Sequence, residues 1–248
     1  MVFAVSVGAV AAAGAALILD AESESRPAPA AMAPAPAAIA GPFEEVSSIG
    51  PHTVVITIGG AHAVRSEGSP EALEQLEAVV EDGRLMIRPR NGFGRRFSRR
   101  LSSATFFVTM PQLQAASLAG SGDMRVDRIE GGRFSGSIAG SGDMAIGTLA
   151  VDEADFSIAG SGDLVVAGQA RNSRISITGS GDVRAAALTS ESASISILGL
   201  GDVALKVDGP ASVSIRGGGD VEIDGNAQCT VSRIGRGEVR CGGELVAD

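Results

Sequence analysis

Seven aligned segments decide the fold: ASLAGSGDMRV (116–126), GSIAGSGDMAI (136–146), FSIAGSGDLVV (156–166), ISITGSGDVRA (175–185), ISILGLGDVAL (195–205), VSIRGGGDVEI (213–223) and VSRIGRGEVRC (231–241). Their acidic residues, Asp123, Asp143, Asp163, Asp182, Asp202, Asp220 and Glu238, follow one another at intervals of 20, 20, 19, 20, 18 and 18 residues. A unit of this length is one supersecondary element that cannot bury its apolar face alone, so it must stack on its copies. The repeat therefore sets an architecture before it suggests any activity.

Read down the alignment, the segments resolve into columns. Two residues before the first motif glycine stand Leu118, Ile138, Ile158, Ile177, Ile197 and Ile215, and directly after the acid stand Met124, Met144, Leu164, Val183, Val203 and Val221. Apolar residues at every second position mark short strands with one inward face. Each rung thus reads as two such strands joined at a Gly-Ser-Gly-Asp corner, with a less regular third side closing the circuit. Between the apolar columns runs a serine column, Ser117, Ser137, Ser157, Ser176, Ser196, Ser214 and Ser232, which the alternation points outward. In the last rung Arg233 stands where an aliphatic residue is expected and Arg236 enters the turn, as suits a terminal rung meeting water. The expected fold is all-β: a single-stranded parallel β-helix with rungs of about 18–20 residues and an irregular β-rich N-terminal part.

That first part, residues 43–112, shows no regular repeat. Val54, Ile56 and Ile58 alternate in one strand ending at Gly59-Gly60; Ser69-Pro70-Glu71 reads as a short helix start; and Asp82-Gly83 between two apolar runs predicts a hairpin. A further strand covers Ala104 to Met110, and the regular rungs occupy 113–246. Together 43–248 form one expected head domain.

Composition agrees with many thin layers. The 248 residues include 34 Gly, 8 Phe and no Trp or Tyr, so the core must come from aliphatic side chains. A formal net charge of −9 argues against nonspecific nucleic-acid binding. Residues 2–19 form an uncharged apolar run, so 1–25 is expected to be a signal peptide or a membrane anchor, and the Pro/Ala-rich stretch 26–42 an extended linker. Export to the periplasm, envelope or outer surface follows from this reading. Cys229 and Cys241 are the two cysteines, without metal-site spacing; a disulfide and two free thiols both fit.

The irregular β-rich start (FEEVSSIGPHTVVITIGG, LEAVVEDGRLMIRPR, ATFFVTMPQLQAASLAGSGD) followed by serial G-S-G-D rungs resembles the auto-transporter adhesin head domain, or head GIN domain, of bacterial envelope proteins. The resemblance spans about residues 43–246. It implies a single-stranded β-helix in a bacterial exported protein, and it lends architecture more firmly than activity.

Three chemistries compete for the acid column. Stacked carboxylates about 4.8 Å apart repel by roughly 1 kcal/mol per pair in water, so something must offset them. Each Asp could accept backbone amides within its own glycine-rich corner. A ladder of Asp123, Asp143, Asp163, Asp182, Asp202, Asp220 and Glu238 could instead hold Ca²⁺, or face a cationic or polyhydroxyl partner. Catalysis needs a pair of acids in different environments, which equivalent repeat members lack; His52 and His62 are expected in strand edges or loops, with no nucleophile beside them. The serines at 117, 137, 157, 176, 196 and 214 are candidate binding residues for an envelope glycan or protein. So is an arginine cluster including Arg95, Arg96, Arg99 and Arg100, interleaved with Phe93 and Phe97. It reads as a solvated basic loop, as a site for anionic lipid or an acidic partner, or as a pairing surface for the acid ladder of a second copy. The reading is non-enzymatic, with a carbohydrate-active β-helix enzyme or a plain envelope scaffold as the alternatives.

Overall fold

The computed structural model of the chain describes residues 41–90 and 103–246. The leader or anchor expected over 1–25, nearly all of the linker, and Arg95, Arg96, Arg99 and Arg100 lie outside the described residues. Among the described residues, no helix is long and apolar enough to cross a membrane.

In chain order the elements are β1 (Glu45–Ile49), β2 (Thr53–Ile58), β3 (Ala63–Glu67), α1 (Pro70–Glu74), β4 (Leu76–Glu81), β5 (Arg84–Pro89), β6 (Thr105–Met110) and β7 (Ala115–Gly120). Four long strands follow: β8 (Met124–Gly140), β9 (Met144–Gly160), β10 (Leu164–Gly179) and β11 (Val183–Gly199). The last are β12 (Val203–Val207), β13 (Pro210–Gly217), β14 (Val221–Asp224), β15 (Gln228–Gly235), β16 (Val239–Cys241) and β17 (Glu244–Leu245). From β7 to β16 each turn stacks parallel on the next; in β8 to β11 the strand is interrupted only at the Ser-Gly-Asp corner, while the later turns break a second time, between β12 and β13 and between β14 and β15. This is the expected parallel β-solenoid.

The register is that of the aligned columns. Ser117 pairs with Ser137, then Ser157, Ser176, Ser196, Ser214 and Ser232, and the first motif glycines pair likewise from Gly120 to Gly235. Leu118 and the five isoleucines stacked on it are each at most 2% exposed, while no serine of the column is buried. The third side carries Ile129, Leu149 and Leu188, all buried. It also absorbs the changes in repeat length: the register shifts by one residue between Val166 and Gly168, and by three between Ala185 and Thr189. The corners stay in step because the slack is taken elsewhere.

The irregular first part contains a turn of the same solenoid. β1 lies between β5 and β7, parallel to both, with Ser47 opposite Ser117. β2 lies between β6 and the start of β8, with Val54 opposite both Phe106 and Met124. Gly50-Pro51-His52-Thr53 therefore occupies the corner that Gly120-Ser121-Gly122-Asp123 occupies one layer on. The first layer in sequence is the second in space, because β5 and β6 form the outer layer and the chain from β6 to β7 passes over β1 and β2.

Both ends of the stack are closed. At the N-terminal end β3 runs antiparallel to β6, and β4 forms the expected hairpin with β5 across Asp82 and Gly83, both at positive φ (50° and 76°). Ser69 caps α1 by accepting the Ala72 N–H at 3.2 Å, with Pro70 at the helix start. At the other end Cys229 and Cys241 are joined in a disulfide, with Cα atoms 6.4 Å apart. Cys229 stacks on Ala211 and Cys241 on Ile223, so the bridge lies over two core columns of the terminal turn.

Candidate functional site

The corner column is built from backbone constraints upward. Gly140 has φ 130°, and a Cβ there would overlap the Gly120 carbonyl oxygen of the adjacent turn. A Cβ on Gly142 would overlap the Gly122 carbonyl and come within 3.0 Å of Leu118 Cδ2. Both glycines are thus required by close stacking, and the first also by its left-handed backbone. His52 holds the position of the second glycine in a layer whose outward neighbours are the terminal strands β5 and β6.

The acids then complete the axial hydrogen bonding. Asp143 Oδ1 accepts the Asp163 N–H at 3.0 Å, Asp163 Oδ1 that of Asp182 at 3.1 Å, and Asp182 Oδ1 that of Asp202 at 3.0 Å. Asp202 and Asp220 continue the series to the amides of Asp220 and Glu238, both at 2.7 Å. The expectation of a turn closed within its own corner is corrected at Asp143, Asp163, Asp182, Asp202 and Asp220, whose carboxylates reach to the next turn. The chain leaves its strand at Ser-Gly-Asp, so the Asp amide points along the solenoid axis, and a carboxylate one turn away is the acceptor within reach. Charge-assisted bonds of this kind are among the stronger ones, and they draw negative charge onto fixed N–H dipoles.

Arginines neutralise much of the remainder. Arg184 sits 3.0 Å from Asp163 and 3.5 Å from Asp182, Arg125 is 3.5 Å from Asp123, and Arg240 is 3.9 Å from Glu238. Among the described residues, no three His, Cys, Asp or Glu side chains converge as a metal-ligand set. The acids form a column one turn apart, and from Asp143 to Asp220 each already has an oxygen accepting an amide, so this donor arrangement does not fit a Ca²⁺ cage.

Beside the acids runs a groove of about 520 Å³ over the last turns. Asp182, Asp202, Asp220, Glu222 and Glu238 line it together with Arg184 and Arg240, and Ala204 leaves it shallow-walled in the middle. The serine column lies on the other side of the same corner. Ser, Gly and Asp side chains are thereby brought to one long edge, as the alignment indicated.

Two features escaped the sequence reading. His52 lies in a loop as expected, but its ring is fully buried, with neither nitrogen hydrogen-bonded, against Phe106 at a centroid distance of 6.2 Å. Burial holds its pKa below the usual histidine value. Ser48, in the inward column opposite Leu118, is likewise buried without a partner for its hydroxyl. His62 instead hydrogen-bonds Phe43, its Nε2 lying 2.8 Å from the carbonyl oxygen and 3.2 Å from the amide nitrogen. The alignment of Ser47 and Gly50 with Ser117 and Gly120 was the available signal for this layer.

The arrangement defines a class: a parallel β-solenoid protein with a repetitive Ser/Gly/Asp edge. Within that class, residues 42–227 match the family described as "Putative auto-transporter adhesin, head GIN domain", and the chain belongs to that family. Similar solved structures include a putative adhesin from Bacteroides fragilis NCTC 9343, with TM-score 0.71, 19% identity, and 80% of this chain and 92% of that chain covered. A putative lipid binding protein from Parabacteroides distasonis ATCC 8503 has TM-score 0.64 at 19% identity, covering 80% and 92%. A putative adhesin from Parabacteroides merdae ATCC 43184 has TM-score 0.61 at 15% identity, covering 80% and 91%. The likeness to these structures is one of fold. No curated protein matches the chain in sequence.

Proposed function

We propose that the chain is an exported, non-enzymatic protein of the bacterial envelope that uses its serine-bearing edge to bind an extended, periodic partner, an envelope glycan or protein. The observation that carries this reading is the in-register column of solvent-facing hydroxyls from Ser117 to Ser196, flanked by the acids. Hydroxyls one turn apart, on a rigid stack, offer a polymer the same contact at every step, so weak bonds add along its length. The Cys229–Cys241 disulfide supports an oxidising compartment, and membership of a family named for adhesins supports an external role.

The acids support binding over catalysis, since repeat symmetry gives each nearly the same surroundings, whereas acid–base chemistry needs two carboxyls set apart by environment. A glycan array and envelope-fraction pull-down test the reading. Binding that falls at least tenfold when Ser157, Ser176 and Ser196 become Ala together is the expected result. Turnover of a bound glycan would make the protein an enzyme, and no binding to any envelope component would leave it a scaffold.

A further inference from the structure

The repeat breaks its own surface rule in the last three turns. On the outward position just before the first motif glycine, the earlier turns carry Ala119, Ala139, Ala159 and Thr178, and the later ones Leu198, Arg216 and Ile234, stacked in register. At the corner serine position, Ser121, Ser141, Ser161 and Ser180 give way to Leu200, Gly218 and Arg236. Leu198, Leu200 and Ile234 are 55%, 65% and 67% exposed, the largest apolar exposure near any corner among the described residues. Burying side chains of this size is worth about 1.5–3 kcal/mol each, so three of them exposed around one set of corners mark a contact surface.

Of the exposed arginines, Arg125, Arg133, Arg171, Arg174, Arg184 and Arg240 are held in ion pairs, while Arg90 and Arg128, far from these corners, form none among the described residues. Arg216 and Arg236 form no ion pair among the described residues, although the chain is acidic overall. Across the same corner, a few residues further along each turn, lies the groove lined by five acids and two arginines. One side of the corner is apolar and basic; the other is concave and acidic.

We propose that these two faces are halves of one self-complementary interface, and that the partner they fit is a second copy of this chain. A two-fold axis beside the Gly217–Asp220 corner packs Leu198, Leu200 and Ile234 of the two copies against one another and sets Arg216 and Arg236 of each against Asp220, Glu222 and Glu238 in the other's groove. Such an interface is isologous and closes at two copies. An anionic lipid surface is disfavoured as the occupant because the column of acids at the same corner would approach it at the same time. The serine-bearing edge proposed for glycan binding lies mainly on the earlier turns, so the dimer stands or falls independently of that function.

Sedimentation velocity on the full chain tests this. At micromolar concentration and low salt a reversible dimer is expected, weakening in about 1 M salt, where the screening length falls to about 3 Å. The double variant Arg216→Glu with Arg236→Glu is expected to raise the dissociation constant about tenfold or more. Glu222→Arg, an exposed groove position outside the carboxylate–amide series, should weaken self-association in the same way, and mixing the two variants should restore a heterodimer. Equal melting temperatures for all three chains separate the effect from misfolding. A monomeric wild-type chain, a dimer indifferent to both reversals, or a monomer that binds vesicles of anionic phospholipid through Arg216 and Arg236 would overturn the proposal.

Discussion

Asp182 shows how much one side chain of the repeat does. Its carboxylate accepts the Asp202 amide and pairs with Arg184. Asp182→Ala leaves that amide without an acceptor, and thermal unfolding should show a loss of about 1–2 kcal/mol, the cost of removing a comparable capping oxygen. Gly160→Ala should cost more, about 3 kcal/mol or above, since the new Cβ meets the Gly140 carbonyl oxygen at a left-handed residue with φ 136°. His52 adds a pH dependence. Its pKa is lowered in the folded state, so the stability it permits is complete above the unfolded value of about 6.5 and is lost as pH falls below it toward the folded pKa. Melting temperature should therefore drop between pH 8 and pH 5 by more in the wild type than in His52→Leu, and equal slopes would contradict the assignment. At this scale the sequence displayed the columns but not their bonds. That Asp recurs is legible; that its acceptor oxygen serves the next turn depends on where the corner amide points.

The elements show where reading along the chain stops working. The regular strands, the β4–β5 hairpin and the α1 cap follow from period-two alternation, Asp-Gly and Ser-Pro-Glu, which are local signals. The β1–β2 layer was missed as a turn because its corner reads Gly-Pro-His-Thr, and because its stacking neighbours come from much later in the chain. No local pattern encodes that β1 is inserted between β5 and β7. The final turn was open in the sequence, where two cysteines 12 residues apart fitted a bridge or free thiols. The bridge covers core columns that have no further turn to bury them. Replacing both cysteines with Ser should lower stability by about 3 kcal/mol, and amide exchange should accelerate in β15 and β16 before β9 and β10. Uniform acceleration throughout would mean that the terminal turn is not a separate weak point.

Across the whole molecule the stack is held by neighbour-to-neighbour contacts, so a change at one corner should weaken its two flanking layers most. The acid column is satisfied by amides and arginines, which makes added cation unnecessary for folding. Addition of millimolar CaCl₂, or of EDTA, should leave the melting temperature unchanged, and a marked rise with Ca²⁺ would show ligands that this geometry does not provide. The most direct test of the account is residue-resolved hydrogen exchange at the Asp202 amide, in the wild type and in Asp182→Ala. The carboxylate ladder predicts strong protection of that amide in the wild type and its selective loss in the variant, while Val203, bonded to the Asp220 carbonyl at 2.9 Å, stays protected. An Asp202 amide that exchanges freely in the wild type, or that is indifferent to the loss of Asp182, would contradict it.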